Sequence, residues 1–238
     1  QILDELVDVL TRYAVFPELA QPDAVALWIL HTFALDSFDV TPRLVIESAT
    51  YRSGKTRLME LLELLCRDPL LVADISPAAM YRVTELRRPT LLMDEIDAVF
   101  GSRYKDEMSE AKRGIIDAGY KRGATVIRMV GEGTSMEPKE FQTFAPVALA
   151  GISRRARLPD TIRDRSVVIN MRRKGANETV ARYKPRRIRP QTDVLARRCA
   201  AWAHRTTGLD EADPRVPQEI NDRAEEVWET LMAIADAA

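Results

Sequence analysis

Cysteine and histidine are scarce in this chain. Cys66 and Cys199 are too few and too far apart for a disulfide framework or a zinc site. Cys66 falls on an apolar helical run and reads as core. His31 and His204 show no metal-ligand spacing and read as structural. A signal-peptide pattern and an apolar run of about eighteen residues are both missing, which argues against a membrane span and leads us to expect a cytoplasmic protein. The first residue is Gln1 rather than methionine, and we expect an excised part of a longer chain. Net charge is only −1 over 238 residues, so no global basic excess points to nucleic acid.

What is present suits a globular protein of one large or two small domains, with 46% hydrophobic and 30% charged residues. Charge is unevenly spread. Residues 151–198 hold fifteen Lys/Arg against four acids, net +11. Residues 1–40 hold seven acids and one Arg (net −6), and residues 209–238 nine acids and two Arg (net −7). Such segregation predicts faces of opposite sign, suited to subunit contacts or to an anionic polymer.

Glycine is also short where it would be most expected. Residues 43–60 read "RLVIESATYRSGKTRLME". An apolar strand, Arg43 to Ile46, leads into "ATYRSGKT", and a helix begins near Lys55 with Leu58, Leu61, Leu62 and Leu65 at helical spacing. This is the strand–loop–helix context of a phosphate-binding P-loop, with Ala49 in place of the first glycine. Backbone N–H groups and the helix dipole at that end favour an anion. The predicted nucleotide-binding set is Ala49, Thr50, Tyr51, Arg52, Ser53, Gly54, Lys55, Thr56 and Arg57. Gly54 lets the backbone approach a phosphate. Lys55 would reach the β- and γ-phosphates of ATP, and Thr56 would ligate Mg²⁺.

About forty residues on, "TLLMDEID" ends a buried strand in Asp94-Glu95. Acids at the carboxyl end of a parallel strand sit where an α/β sheet puts its ligand chemistry. Asp94 is expected in the Mg²⁺ shell, and Glu95 to orient or deprotonate the attacking water. Asp97 reads as an N-cap or surface ion-pair residue.

Periodicity and turn signals predict a helical N-terminal segment over 1–40, with Leu3, Leu6, Val7 and Leu10 on one face of its first helix. A helix should open at Ser76-Pro77, another should run from about 106 to Gly123, and a β-hairpin should span 124–145 around "GEGTSMEP". Core strands follow at 147–152 and 166–171. Pro185 and Pro190 bracket a basic linker, and 191–238 reads as a small helical lid. The resulting division is 1–40, a core over 41–190, and 191–238. Of five core strands, one lies in sequence between the loop strand and the acidic-pair strand. By analogy of fold, an extra strand separates the oligomeric-motor P-loop ATPases from the kinase-like ones, in which those two strands are neighbours.

In this order — loop, "DE" strand, hairpin, "VALAGIS", then "LPDTIRDRSVVI" — the chain resembles an AAA+ ATPase. It is more narrowly similar to an ATPase family of primase/helicase-type replication proteins from actinobacterial phages and mobile elements, organised like superfamily 3 helicases. The resemblance implies an α/β P-loop NTPase three-layer sandwich with a five-stranded parallel sheet, the inserted hairpin and a helical lid. It further implies Mg-dependent ATP hydrolysis in a homo-oligomer, a hexameric ring, on single-stranded or forked DNA, with a fused or associated primase. The hairpin would line the pore, with Arg128 and Lys139 as its cations, while Phe141 and Phe144 read equally well as core. Arg165, with Arg163 as runner-up, resembles an arginine finger acting on a neighbour's γ-phosphate; either could instead pair with Asp160 or Asp164. The sensor-1 residue is Ser153 or absent, and Arg215 and Arg223 are the sensor-2 candidates. A remodelling ATPase acting on protein partners and a small-molecule kinase are the alternatives.

Overall fold

The computed structural model describes residues 1–95, 107–131, 135–153, 158–217 and 220–238. Asp97 and the 132–134 segment of the hairpin connection lie outside them. Five strands form one parallel sheet: β1 (Arg43–Ser48), β2 (Pro69–Val72), β3 (Thr90–Met93), β6 (Val147–Ile152) and β7 (Ser166–Asn170), in the order β2-β3-β6-β1-β7. Between β3 and β6 in sequence, β4 (Thr125–Val130) and β5 (Glu137–Gln142) form the expected antiparallel hairpin, with Arg128 opposite Lys139.

Both faces of the parallel sheet are apolar and both are covered, as parallel strands require. Leu44, Ile46, Leu92, Ala148, Ala150, Val167 and Ile169 face one layer of helices. That layer holds α1 (Ile2–Tyr13), α2 (Ala20–Phe33), α3 (Lys55–Leu65), α7 (Pro185–Arg205) and α8 (Asp222–Ala237). The alternate residues Val45, Leu91, Met93, Val147 and Leu149 pack against α4 (Pro77–Arg87), α5 (Glu107–Ala118), the short α6 (Asp160–Arg163) and Phe141 of the hairpin. The N-terminal and C-terminal helices therefore share one apolar cluster with the sheet.

Several local rules act as the sequence suggests. The Ser76 side chain accepts from the Ala79 amide with Pro77 in the first turn of α4. Leu58, Leu61, Leu62 and Leu65 of α3 are all fully buried. On α1, Leu6 and Leu10 are buried with Ile2 and Val9, whereas Leu3 and Val7 are only partly covered. Cys66, Cys199, Phe141 and Phe144 are core.

Other expectations need correction. The strand lying in sequence between β1 and β3 is β2, and it sits at the sheet edge. The strand that separates β1 from β3 in space is β6. The helix expected to reach Gly123 stops at Ala118. There the backbone presses against the hairpin: a Cβ on Gly119 would stand 2.1 Å from the Thr143 carbonyl oxygen. The following Tyr120 carbonyl accepts from the Thr41 amide. The basic linker is instead the first turns of α7, so position 190/191 falls inside a helix. Pro185 is tolerated in the first turn, and Pro190 lies on the exposed side, where the carbonyl it leaves unpaired can turn to water. Among the described residues no helix is long and apolar enough to cross a membrane.

His31 is fully buried on α2, with Nε2 3.0 Å from Thr41 Oγ1. Burial, reinforced by repulsion from Arg43, pushes its pKa down to about 3. Below pH ~6.5 the unfolded chain takes up a proton that the folded protein refuses, so stability falls as pH drops from there toward 3. The slope should approach about 1.4 kcal/mol per pH unit. Urea unfolding at pH 6 and pH 5 should show that slope in the parent and not in His31→Asn. An equal slope in both would place the linked proton elsewhere.

Candidate functional site

The carboxyl ends of β1, β3 and β6 open into a cleft of about 860 Å³, within the range of ligand pockets. The loop after β1 forms its floor. Ser48, the last residue of β1, is buried; its hydroxyl donates to the Thr50 carbonyl at 2.7 Å and accepts from Ser53 Oγ at 2.8 Å. Lys55 Nζ donates to Ser48 Oγ at 2.7 Å and to Ser53 Oγ at 3.3 Å. The ammonium is thus held over the loop by two hydroxyls. Gly54 caps α3 with φ of 90°, a left-handed conformation natural to glycine. Arg52 (φ 59°) and Glu95 (φ 57°) adopt the same region without being glycine. Each such residue costs on the order of 1–3 kcal/mol; these two line the cleft, whereas Asp68 and Arg88 adopt the same region outside it.

The structure brings Tyr51, Arg52, Ser53, Gly54, Lys55, Thr56 and Arg57 together with Asp94 and Glu95. Ala49 and Thr50 are exposed and do not line the cleft. The Asp94 carboxylate accepts from the Glu95 amide at 2.8 Å, fixing the turn that carries both acids. Gly151 and Ile152 of β6 line the cleft, but Ser153 does not; it is exposed, and its amide donates to the Ser48 carbonyl.

Arg165 stands away from this cleft. It precedes β7 at the amino edge of the sheet, where its carbonyl accepts from the Arg43 amide. The cleft opens at the other end of the six-residue β1, roughly 20 Å away at about 3.3 Å per residue. The Arg165 guanidinium donates to the Thr161 carbonyl at 2.6 Å and lies 3.8 Å from Asp117, over the Tyr120 ring. Arg163 makes a bidentate pair with Glu47, both bonds 3.0 Å, which raises the pKa of its guanidinium. The carboxylates nearest the two arginines are thus Glu47 and Asp117, with Asp160 adding a weaker pull on Arg163. Arg223 pairs with Glu226 on α8, and neither it nor Arg215 lines the cleft.

Sequence reasoning missed two walls. One is the end of α1, Tyr13 to Val15; the other is the exit from β7, with Arg172, Lys174 and Val180. Tyr13 meets Tyr183 edge-to-face at 5.7 Å, and the Arg57 guanidinium lies 3.6 Å from the Tyr183 ring centroid. No local motif marks these residues; they reach the cleft only because α1 and α7 pack beside α3. The basic run "RRK" at 172–174 was the one available signal. With them the cleft holds Arg52, Lys55, Arg57, Arg172 and Lys174 against Asp94 and Glu95, a balance suited to a polyanion.

A family model described as "Protein of unknown function (DUF3631)" matches residues 170–238. A Saccharopolyspora erythraea protein titled "Uncharacterized 28.9 kDa protein in xis 5'region" is 44% identical over 69 residues, 29% of this chain and 26% of the relative. The matched part thus spans about a quarter of that relative's length. The family match takes in Arg172, Lys174 and Val180 and leaves out the loop at 49–57 and the Asp94-Glu95 pair.

If the cleft takes a nucleoside triphosphate, Lys55→Ala should abolish its tight binding, because it removes the cation seated over the loop. Equal affinity of parent and variant in a fluorescent-nucleotide titration would place the anion elsewhere.

Proposed function

We propose that this chain is an Mg-dependent ATPase module of the AAA+ P-loop kind, working in a ring of identical subunits to move along or unwind single-stranded or forked DNA. One observation carries the reading. Lys55, at the start of a helix entered through a left-handed glycine, and Asp94-Glu95, at the end of a different parallel strand, line one cleft with β6 interposed between their strands. The loop seats phosphates on the first turn of α3, where amides and the helix dipole favour anions. Thr56 and Asp94 offer hard oxygen donors. Among the described residues no cluster of three or more His, Cys, Asp or Glu could hold a metal alone. Mg²⁺ in such sites is held by one or two carboxylates together with substrate phosphates, the donor set that Thr56 and Asp94 would complete. When bound, the ion would neutralise charge on the phosphates. Glu95, exposed at the cleft mouth, is the residue placed to orient a water or take its proton.

The offset of Arg165 from its own cleft, roughly 20 Å, supports a role in trans. In a head-to-tail ring the amino edge of one sheet can face the carboxyl edge of the next. Support for DNA comes from the hairpin, which packs on the α4–α5 layer through Phe141 and carries Arg128 and Lys139 opposite each other, with Ile127 and Met129 exposed. The resemblance adds the ring, the primase partner and a setting in a phage or mobile element.

The deciding measurement is ATP hydrolysis with and without single-stranded DNA, alongside solution mass with a non-hydrolysable ATP analogue. DNA-stimulated hydrolysis by a multi-subunit species is expected. Hydrolysis indifferent to DNA would favour a remodeller of protein partners, and a phosphorylated small-molecule product would mark a kinase. Glu95→Gln should retain ATP binding and lose about a hundredfold or more in kcat; turnover at the parent rate would move the water-activating role to another residue.

Arg165→Ala should bind ATP nearly as the parent does and lose on the order of 10³-fold or more in turnover, since a finger acts on the transition state. Added to active protein, it should depress the rate more than dilution does. Full activity of the variant alone would show that Arg165 serves only its contacts with Asp117 and Tyr120.

A further inference from the structure

From the end of β7 the chain crosses the mouth of the cleft before entering α7, and the crossing is pinned at several points. The Met171 amide donates to the Glu47 carbonyl at 2.7 Å, and Met171 Cε stands 3.4 Å from where a Cβ on Gly54 would be. Arg173 Nε donates to the Tyr51 carbonyl at 2.8 Å. Farther on, the Ala181 amide donates to the Arg12 carbonyl at 2.8 Å. Arg172 is therefore rooted next to the loop, and its side chain is the part able to turn.

That side chain is engaged with a carboxylate. Both terminal nitrogens of Arg172 donate to Glu178, at 2.7 and 2.6 Å. Glu178 has a second donor, the Gly175 amide at 2.6 Å, and Lys174 beside it. Together these hold its carboxyl down to about 2, so it stays ionised at any working pH. Arg172 is about half exposed and Glu178 about one-third, so water reaches the pair and screens it, which keeps the exchange within reach of a more highly charged partner. A guanidinium fork that grips two carboxylate oxygens has the geometry to grip two phosphate oxygens. If it leaves Glu178, the carboxylate keeps its backbone donor, and the Arg173 carbonyl, which also accepts from Arg172 at 3.2 Å, is exposed to water.

Of the other cations of the cleft, Arg52 belongs to the loop itself, and the remaining three differ from Arg172 in what they hold or in shape. Arg57 is committed to the Tyr183 ring and to Glu60, and Lys55 is seated on Ser48 and Ser53. Lys174 lacks the fork.

We propose that Arg172 distinguishes a nucleoside triphosphate from a diphosphate in this cleft, exchanging its ion pair with Glu178 for the terminal phosphate. The proposal rests on the nucleotide reading above and assigns a specificity role to a residue outside the loop and the acidic pair. Occupancy by a triphosphate would release Glu178 and so mark the strap that leads into α7.

The test is a titration with fluorescent ATP and ADP analogues, read by anisotropy, on the full chain. Arg172→Ala should weaken ATP by roughly tenfold to a hundredfold, the range for a charge-assisted contact, and leave ADP within about twofold. Arg172→Lys should recover only part of the loss. Glu178→Gln should tighten ATP about two- to fivefold by removing the competitor. The proposal is overturned if Arg172→Ala weakens both nucleotides equally, or if Glu178→Gln weakens ATP as Arg172→Ala does; either result makes the pair a structural clip on the strap. A parent protein that binds ATP in a Lys55-dependent way while Arg172→Ala changes nothing overturns this assignment alone. A parent that binds neither nucleotide overturns the nucleotide reading with it.

Discussion

Strand β1 has to satisfy three demands at once, and much of the molecule follows from them. It is flanked by β6 and β7, with both faces of Leu44, Val45 and Ile46 fully buried. It carries the cleft loop at its carboxyl end. At its amino end it buries a guanidinium: Arg43 is 1% exposed and donates to the carbonyls of Ala145 and Ile116 at 2.7 and 2.6 Å. Desolvation pulls its pKa down to about 9, with Tyr120 and Asp117 opposing that pull and Arg165 adding to it. Removing one partner from a buried charge is far costlier than the pair is worth. The Arg43 bonds therefore lock the end of α5, the entry to β6 and the start of β1 into one arrangement. Gly119 belongs to the same junction, because a side chain there would meet both the Thr143 carbonyl and the Arg43 guanidinium. Arg43 reads in the sequence as an unremarkable first residue of a strand, yet the position of the loop at the other end depends on it.

What could be read from the sequence was what local chemistry controls. Apolar periodicity on α3, the Ser76-Pro77 start of α4, the strands at 90–93 and 147–152, and the hairpin all depend on neighbours within a few residues. The seven-residue run from Tyr51 to Arg57 and the Asp94-Glu95 pair are legible for the same reason: each is contiguous. Misreadings arise where distant packing overrides local signals. Pro185 and Pro190 look like punctuation, but an exposed proline near a helix start breaks little, and α7 is held by burial of Ile188, Thr192, Leu195 and Cys199. Gly123 looks like a helix stop, but α5 ends earlier because its last turn meets the hairpin. Sheet order is invisible to periodicity, so the strand interposed in sequence is not the one interposed in space. The Tyr13 and Arg172 walls escape a sequence reading because no spacing rule links residues 13, 57, 172 and 183.

Those walls join parts of the chain that are otherwise remote. Arg57, in the first turn of α3, reaches the Tyr183 ring, which meets Tyr13 at the end of α1. The strap from Met171 to Lys184 runs between these contacts and the loop. A change at the loop can therefore be felt at the start of α7 without any movement of the sheet. This gives physical content to the family match over residues 170–238: that stretch includes one side of the cleft as well as the two C-terminal helices packed against α2 and α3.

The sheet order also limits how a second subunit could complete the cleft. β7 is an edge strand, and the loop strand β1 lies directly inside it. Arg165 sits at the amino edge of β7 and the cleft at the carboxyl edge of β1, so no bending of one chain brings the two together. In a two-fold dimer the contact would be reciprocal, each subunit's Arg165 reaching the other's cleft, and the assembly would close at two subunits. A rotational, head-to-tail arrangement sets unlike edges together and closes into a ring. The basic segment and the acidic start of the chain already meet within one subunit, where Arg198 pairs with Glu5 and the Ala181 amide donates to the Arg12 carbonyl. The interactions that now hold Arg165, at Thr161 and Asp117, are made by a partly exposed side chain, 22% accessible. Giving them up would leave a buried Asp117 oxygen without its cation, so a neighbour's phosphate would have to hold the guanidinium more strongly than these contacts do, as a charge-assisted fork on phosphate can.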